Sequence, residues 1–521
     1  MFKNEFTWGK AVANNTTDAF HEEFEKSVEK IKNNFNKEYP IIINGKEIFS
    51  KIQFEVKSPC DTSIIVAKFP KATVDDTNNA IQSAKHAFSE WSNTPYQIRA
   101  KIFKECADMF SKQKFLLSAI MSFENGKTRI EAMGDVDEAI DFMRFYAYQL
   151  EINEGFLKET EHPNPKEKTC TILKPYGVWG IIAPFNFPSA IAIGMTVGAL
   201  ITGNTAILKP ASDTPLSSYE FVKAIYKKLP AGAINFVTGP GSVVGKTLIE
   251  SQDVDGIAFT GSREVGISGY KTFTKNEIKP FISEMGGKNP TIVTKHANLE
   301  KASEGVVRAA FGYGGQKCSA CSRVYVQKEI ADKFIEKLIE KTKSLKIGLP
   351  WKKDIFLGPV INENAKKKFE SAVELAKKDG EILVGGKILD DPQLQNGFYV
   401  TPTIVKKLPR DHKLMKDELF LPFLCIDQFD NFDEAINLAN QSEYGLTAGI
   451  FSEDQKQVDD FFNKIQAGTV YANRAASATT AALVRSQPFV GWKHSGTTGK
   501  GAGGENYLQQ FMRAQTQTRC D

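Results

Sequence analysis

From residue 176 onward, short apolar runs ending in Gly, Pro, Ser or Thr alternate with stretches whose apolar positions fall three and four apart. "GVWGIIAP", "TAILKP", "AINFVTGP", "GIAFTGS" and "PTIVT" form a first series up to residue 300. "SRVYVQ", "GEILVGGK", "YVTPTIV", "FLCIDQF", "GLTAGIFS" and "GTVYAN" form a second. Continuous apolar runs of this length suit strands buried on both faces of a parallel sheet, and their alternation with helical periods predicts doubly wound α/β structure. Ligands of such sheets sit at the carboxyl ends of the strands. Two α/β units are therefore expected, with a functional site in the cleft between them.

The region before residue 176 reads differently. Phe20, Phe24, Val28, Ile31 and Phe35 line one face of a predicted helix over residues 17 to 36, and "YPIIINGKEI" reads as a hairpin turning at Asn44-Gly45. Residues 73 to 150 are expected to be several helices, with Asp75 as a cap. The polar, proline-containing "KETEHPNPKEKT" then leads into "CTILKP". The segment from Gly177 to Gly203 carries no charge and is long enough to cross a bilayer. Pro184, Asn186 and Pro188 interrupt it, so a buried strand, loop and helix are expected instead.

Composition narrows the function. At 521 residues the chain exceeds one ordinary core and suggests two or three folding units. A net charge of +4 spread over 66 basic and 62 acidic side chains builds no basic stripe, which argues against a nucleic-acid partner. The start, "MFKNEFTWGK", lacks the basic and apolar regions of a signal peptide, and no membrane association is expected. Seven scattered cysteines argue against a disulfide framework and for a reducing compartment, the cytoplasm.

The chemistry centres on residues 313 to 325, "YGGQKCSACSRVY". Cys318 and Cys321 have no second Cys pair, and the histidines are dispersed, so no metal site is expected. A redox pair would follow the first strand of a small domain, unlike this one. What remains is a cysteine on a glycine-rich turn, where a thiolate near backbone N–H groups can attack a carbonyl carbon. Candidates for its supporting groups are Glu284 in "SEMGGKNP", the amide of Asn186 in "APFNFP", and the strand-Gly-Ser-Gly sequence "FTGSREVG", suited to a pyrophosphate at a helix N-terminus. Taken singly, each has a duller explanation as turn, solvated carboxylate or small core residue.

Together and in order they resemble a known family. "PFNFP", "GNTAILKPASDTPL", "FTGSREVG", "EMGGKNP", "FGYGGQKCSACSR", "DELFLPF", "YGLTAGIF" and "QPFVGWKHSG" are similar to aldehyde dehydrogenase motifs over nearly the whole chain. The resemblance implies a Rossmann-type NAD(P) domain over 1–157 and 176–285 and a catalytic domain over 286–478. It also implies an oligomerisation ribbon and C-terminal tail over 158–175 and 479–521, within a homo-oligomer: a dimer, tetramer or hexamer. It makes Cys318 the nucleophile, Asn186 and the Cys318 N–H the oxyanion hole, and Glu284 the general base. Lys209 and Glu418 would hold ribose and Ser262 the pyrophosphate, with Ser212, Gly241, Gly245, Thr260, Gly261, Gly266, Phe420, Pro184 and Phe185 completing the nucleotide site. Cys321 would be a packing bystander, close enough to form a protective disulfide on oxidation.

The "GGQKCSACSR" turn, the N-terminal extension with "AIDFMRFYA", and the tail "QPFVGWKHSGTTGKGAGGENYLQQFMRAQT" resemble the branch that oxidises L-glutamate γ-semialdehyde. Its substrate contacts map to Ser319, Ala481, Ala482, Arg485 and Phe489. Departures fall where specificity would be set: Ala481 and Ala482 at a glycine-rich turn, Arg485 for a glycine, Asn289 for a customary Asp, Leu421 for a glycine, and one extra tail residue. A guanidinium at 485 can bind a carboxylate, which leaves room for succinate semialdehyde. Ser212, where NAD-preferring members carry a glutamate, leaves NADP open as well as NAD. A CoA-acylating enzyme and a silent scaffold are the remaining alternatives; Glu284 argues against the first, and the complete set of Cys318, Glu284 and Asn186 against the second.

Overall fold

A computed structural model describes residues 2–162, 164–475 and 483–520. Among them lie two seven-stranded sheets. The first is built from the hairpin β1 (Ile41–Ile43) and β2 (Lys46–Ile48), then β3 (Val178–Ile182), β4 (Thr205–Lys209), β5 (Ile234–Phe236), β6 (Gly256–Thr260) and β7 (Phe281–Glu284). Its spatial order is β7-β6-β3-β4-β5-β1-β2. β7 through β5 run parallel and the hairpin closes the edge antiparallel. The second comprises β8 (Asn289–Val293), β9 (Cys321–Gln327), β10 (Glu381–Val384), β11 (Thr403–Lys406), β12 (Phe423–Phe429), β13 (Thr447–Phe451) and β14 (Thr469–Ala472). Their order is β10-β11-β12-β9-β8-β13-β14, parallel except for β10.

The doubly wound reading therefore holds, with one correction. "PTIVT" belongs to the second sheet: β8 pairs with β9 and β13. Periodicity cannot assign a strand to a sheet, because the pattern records only that both faces are covered.

Helices cover the first sheet. α1 (Val74–Ser92), α2 (Tyr96–Glu124) and α3 (Arg129–Ile152) fill the region where several were expected. Thr73, not Asp75, caps α1: its hydroxyl accepts from Asp76 N at 3.1 Å while the Asp76 carboxylate accepts from Thr73 N at 2.8 Å. A capping box satisfies two terminal N–H groups at once, which Asp75, already inside the first turn, cannot do. The predicted amphipathic helix spans Thr17–Lys32 and buries Phe20, Phe24, Val28 and Ile31. Phe35 lies beyond its end and meets the Phe123 ring edge-on at 5.0 Å.

The uncharged stretch divides into β3, a loop, and α4 (Ala190–Ile201). α4 packs closely through its small residues: a Cβ on Gly194 would lie 3.0 Å from the Phe142 ring of α3, and one on Gly198 2.7 Å from the ring of Phe511 near the C-terminus. Among the described residues no helix is long and apolar enough to cross a membrane. The two ends of the polar segment before "CTILKP" join a ribbon. Glu167–Pro175 pairs antiparallel with Met512–Cys520 along its full length and with Leu157–Glu159 on its other edge.

Candidate active site

Five parallel strands of the first sheet bring the candidate residues to one edge. Ile182 aligns with Lys209 and Phe259, and Thr260 with Glu284, so the carboxyl ends form a row. Past β3 come Pro184, Phe185 and Asn186; past β4, Pro210 and Ser212; past β5, Gly241; past β6, Gly261 and Ser262. Asn186 is 3% exposed. Ser262 caps α5 (Arg263–Phe273), its hydroxyl accepting from Val265 N. A Cβ on Gly266 would come within 2.5 Å of Met285 Sδ, so this glycine lets α5 lie close to the strand ends. Residues 241–245 form a single π-helical turn with Gly245 against the Lys209 side chain.

The second sheet meets this edge with its amino ends. β7 ends at Glu284 and β8 begins at Asn289, so four residues carry the chain from the carboxyl edge of one sheet to the amino edge of the other. Cys318 lies three residues before β9. The carboxyl-end rule thus serves the first unit and fails for Cys318, because a parallel strand continuing across a cleft must present its start there. Gly286 and Gly287 make the junction narrow. A Cβ on Gly286 would sit 2.1 Å from Glu418 Oε2, and Glu418 Oε1 accepts from Gly287 N at 2.9 Å. Phe420, with φ of 60°, meets the Phe185 ring edge-on at 5.7 Å, linking the two units.

Tyr313, Gly314 and Gly315 are all left-handed, which turns the chain sharply ahead of Cys318. Gln316 braces that turn: its Nε2 donates to Tyr313 O and Pro359 O, and its Oε1 accepts from Ile361 N at 2.8 Å. Lys317 pairs with Glu131 at 2.7 Å. Cys321 is 3% exposed within the core, its thiol directed at Arg323 O, and both cysteines are free thiols.

Burial dominates the electrostatics. It pushes the Cys318 thiol well up, helped by the charges of Glu418 and Glu284 and opposed by the N–H groups of Ser319 and Cys318. Burial also raises Glu284 to about 8, against an opposing hydrogen bond from Gly491 N–H, and Glu284 Oε2 has no hydrogen-bond partner. Glu418 is raised to about 7 and Lys209 lowered to about 8, again chiefly by burial. A carboxyl near 8 with a free oxygen can take a proton at neutral to mildly basic pH. Gly491 belongs to the tail motif "QPFVGWKHSG", which lies along β7: Ser495 O accepts from Met285 N at 2.7 Å and Ser283 O from Thr497 N at 3.2 Å.

The substrate-side candidates are spread out. Ser319 adjoins Cys318, and Phe489 exchanges backbone hydrogen bonds with Ala502 at 2.8 and 3.0 Å. Arg485 is exposed, donates its N–H to Gly503 O at 2.8 Å, and has φ of 74°, a conformation that explains why glycine suits the position. Ala481 and Ala482 lie outside the described residues. Leu421 is core, 4% exposed. Asn289 is buried and held by hydrogen bonds, and nothing in the linear pattern pointed to its partner Thr447. Also unforeseen were the buried, unpartnered Lys288 Nζ and the fully buried pair Lys127–Asp135 at 2.8 Å.

Residues 48–517 match the model of the aldehyde dehydrogenase family. The 1-pyrroline-5-carboxylate dehydrogenase of Anoxybacillus flavithermus is 37% identical over 508 residues, 96% of each chain. The crystal structure of 1-pyrroline-5-carboxylate dehydrogenase from Thermus with bound NAD superposes with a TM-score of 0.92 at 31% identity, covering 100% of this chain and 99% of that one. Proline utilization A from Bdellovibrio bacteriovorus gives a TM-score of 0.93 at 34% identity, and this chain spans 53% of its length. With a family match over residues 48–517 and a relative 37% identical along 96% of its length, the chain belongs to the aldehyde dehydrogenase family.

Proposed function

We propose that the protein oxidises L-glutamate γ-semialdehyde to L-glutamate with NAD or NADP. The observation that carries this reading is Glu284, held near 8 with an unbonded oxygen and coupled electrostatically to Cys318. That pairing supports a thioester hydrolysed by water, and the relatives named 1-pyrroline-5-carboxylate dehydrogenase support the substrate.

The nucleotide fits the residues present. A Cβ on Gly241 would meet nothing within 4 Å, so the turn past β5 is open. Buried Lys209 donates to Pro210 O at 2.8 Å and retains protons for a ribose hydroxyl. Ser262 and the start of α5 offer N–H groups to a pyrophosphate. Ser212 donates to Gly239 O at 3.2 Å and brings no carboxylate against a 2′-phosphate, which supports dual use. Thr260, Gly261, Gly266, Gly245, Glu418, Phe420, Pro184 and Phe185 complete this site. When bound, the nicotinamide supplies the hydride acceptor.

Cys318 as thiolate adds to the aldehyde carbon, and the oxygen that becomes negative is held by Asn186 and the Cys318 N–H. An aldehyde carries hydrogen as its only departing group, so hydride leaves and a thioester remains. Glu284 then takes a proton from water, the hydroxide adds to the thioester carbon, and the C–S bond breaks to give the carboxylic acid and the thiolate. The arrangement of the sheets supports dinucleotide-binding segments 1–157 and 176–285, a catalytic segment 286–478, and a ribbon with tail over 158–175 and 479–521. In our reading that ribbon joins subunits of a homo-oligomer, and the enzyme works in the cytoplasm.

The test is kcat/KM for glutamate γ-semialdehyde, succinate semialdehyde and a plain aliphatic aldehyde, each with both nucleotides, with Cys318→Ser as control. We expect glutamate γ-semialdehyde to lead and Cys318→Ser to be inactive. A lead for the plain aldehyde would refute the substrate assignment. A preference for NAD of about a hundredfold or more, or roughly 2.7 kcal/mol, would refute dual nucleotide use.

A further inference from the structure

We propose that Asn289 and Thr447 are positioning residues that set the reactivity of Cys318 by pinning three successive carbonyl groups of its turn. This rests on Cys318 being the nucleophile. Ala320 N donates to Lys317 O at 3.0 Å, closing a tight turn in which Cys318 is the second residue. Asn289 Nδ2 uses both protons, one to Cys318 O at 2.7 Å and one to Ala320 O at 2.9 Å. Thr447 Oγ1 donates to the carbonyl between them, Ser319 O, at 3.2 Å. Thr447 N donates to Asn289 Oδ1 at 3.0 Å, so the two residues also hold each other.

That last bond determines the orientation of the Asn289 amide. Rotated end for end, it would set an oxygen against two carbonyl oxygens and an NH2 against an N–H. Both side chains are buried, Asn289 at 3% and Thr447 at 2% exposure, and each stands at the first position of its strand. The clamp is therefore as rigid as the sheet.

A planar trans peptide points its C=O and N–H in opposite directions. Holding Cys318 O on the β8 side thus turns the Ser319 N–H the other way, and the N–H groups of Ser319 and Cys318 are the backbone donors that reach the Cys318 sulfur. The Ser319 N–H, carried on the same peptide as the clamped Cys318 O, stabilises the thiolate. Carbonyl clamping on one side of the turn is N–H presentation on the other. An aspartate at 289 has no protons to give two carbonyl groups and would instead repel them. In this chain, then, the residue acts through the nucleophile turn, by bonds that the aspartate customary in the branch could not make.

The experiment uses the full chain without nucleotide. Alkylation of Cys318 by iodoacetamide, in which sulfur displaces iodide to form a thioether, is followed by mass spectrometry across pH for wild type, Asn289→Ala, Asn289→Asp and Thr447→Val. We expect the neutral-pH rate to fall about tenfold in Asn289→Ala, further in Asn289→Asp, and roughly threefold in Thr447→Val, on the scale of lost hydrogen bonds to a charged group. The midpoint of the pH profile should move upward in each, and kcat should fall in parallel with little change in KM for nucleotide. Residues that merely hold the fold together would lower thermal stability and leave the pH profile where it was. Folded Asn289→Ala with the wild-type profile overturns the proposal. Should the Asn289 variants fail to fold, Thr447→Val, which loses one bond and keeps its backbone N–H, decides by the same criterion. A wild-type protein inert toward aldehydes would refute the dehydrogenase reading, while the alkylation profiles judge the clamp independently.

Discussion

Replacing Glu284 by Gln should stabilise the protein while slowing turnover once the first thioester has formed. The wild-type carboxyl rises from 4.5 to about 8 on folding, mainly through burial. Below pH 4.5 both folded and unfolded chains hold the proton, and ionisation has no effect on stability. Between 4.5 and 8 the unfolded chain ionises while the folded carboxyl keeps its proton, so wild-type stability declines as pH rises and levels off above 8. At roughly 1.4 kcal/mol per pH unit the full effect is about 5 kcal/mol, and partial solvent access at the cleft trims it to roughly 2–3 kcal/mol. Gln never ionises and still accepts the Gly491 hydrogen bond. The Tm of Glu284→Gln minus that of wild type should therefore grow across this window and then stay constant. In rapid-mixing assays the variant should still give a burst of reduced nucleotide near one per active site, because forming the thioester does not need the base, and then a steady rate at least about a hundredfold lower. A Tm difference that is flat between pH 4.5 and 8.5, or an unchanged steady rate, would refute the assignment of Glu284 as a buried base.

Asn186→Ala should lower kcat by about 10²–10³ through loss of an oxyanion donor, with a native circular dichroism spectrum. Unlike Glu284→Gln it should slow the burst itself, and a full-speed burst would refute its role. Lys127→Met leaves the fully buried Asp135 carboxylate uncompensated and should destabilise the fold by about 3–5 kcal/mol. Adding Asp135→Leu should recover part of that loss in thermal unfolding, though Asp135 also accepts from Ala190 N at 2.6 Å, and no recovery would count against a charge-pair origin.

Local pattern was enough for the elements and the chemical cast. The apolar runs marked the strands of both sheets, and Asn44-Gly45, with φ of 53° and 69°, formed the expected turn. The glycine-rich turn before Cys318 and the carboxylate at the end of an apolar run were legible because backbone conformation and strand ends leave a linear trace. What the linear pattern missed depends on which strand lies beside which. "PTIVT" could not be assigned to its sheet, and the cleft pairs carboxyl ends with amino ends because only four residues separate β7 from β8. Asp75 was expected as the cap, and the hydrogen bonds give that role to Thr73.

The sequence by itself determined that a cysteine, a carboxylate and an amide stand at or near the ends of buried strands, since residue type and spacing carry that information. Only the tertiary structure decided how strongly they act. Desolvation of Glu284, the fit of Glu418 over Gly286 and Gly287, and the carbonyl clamp of Asn289 and Thr447 on Cys318 arise from groups distant in sequence. A proton affinity depends on everything packed around the group, and that surrounding exists only once the chain has folded.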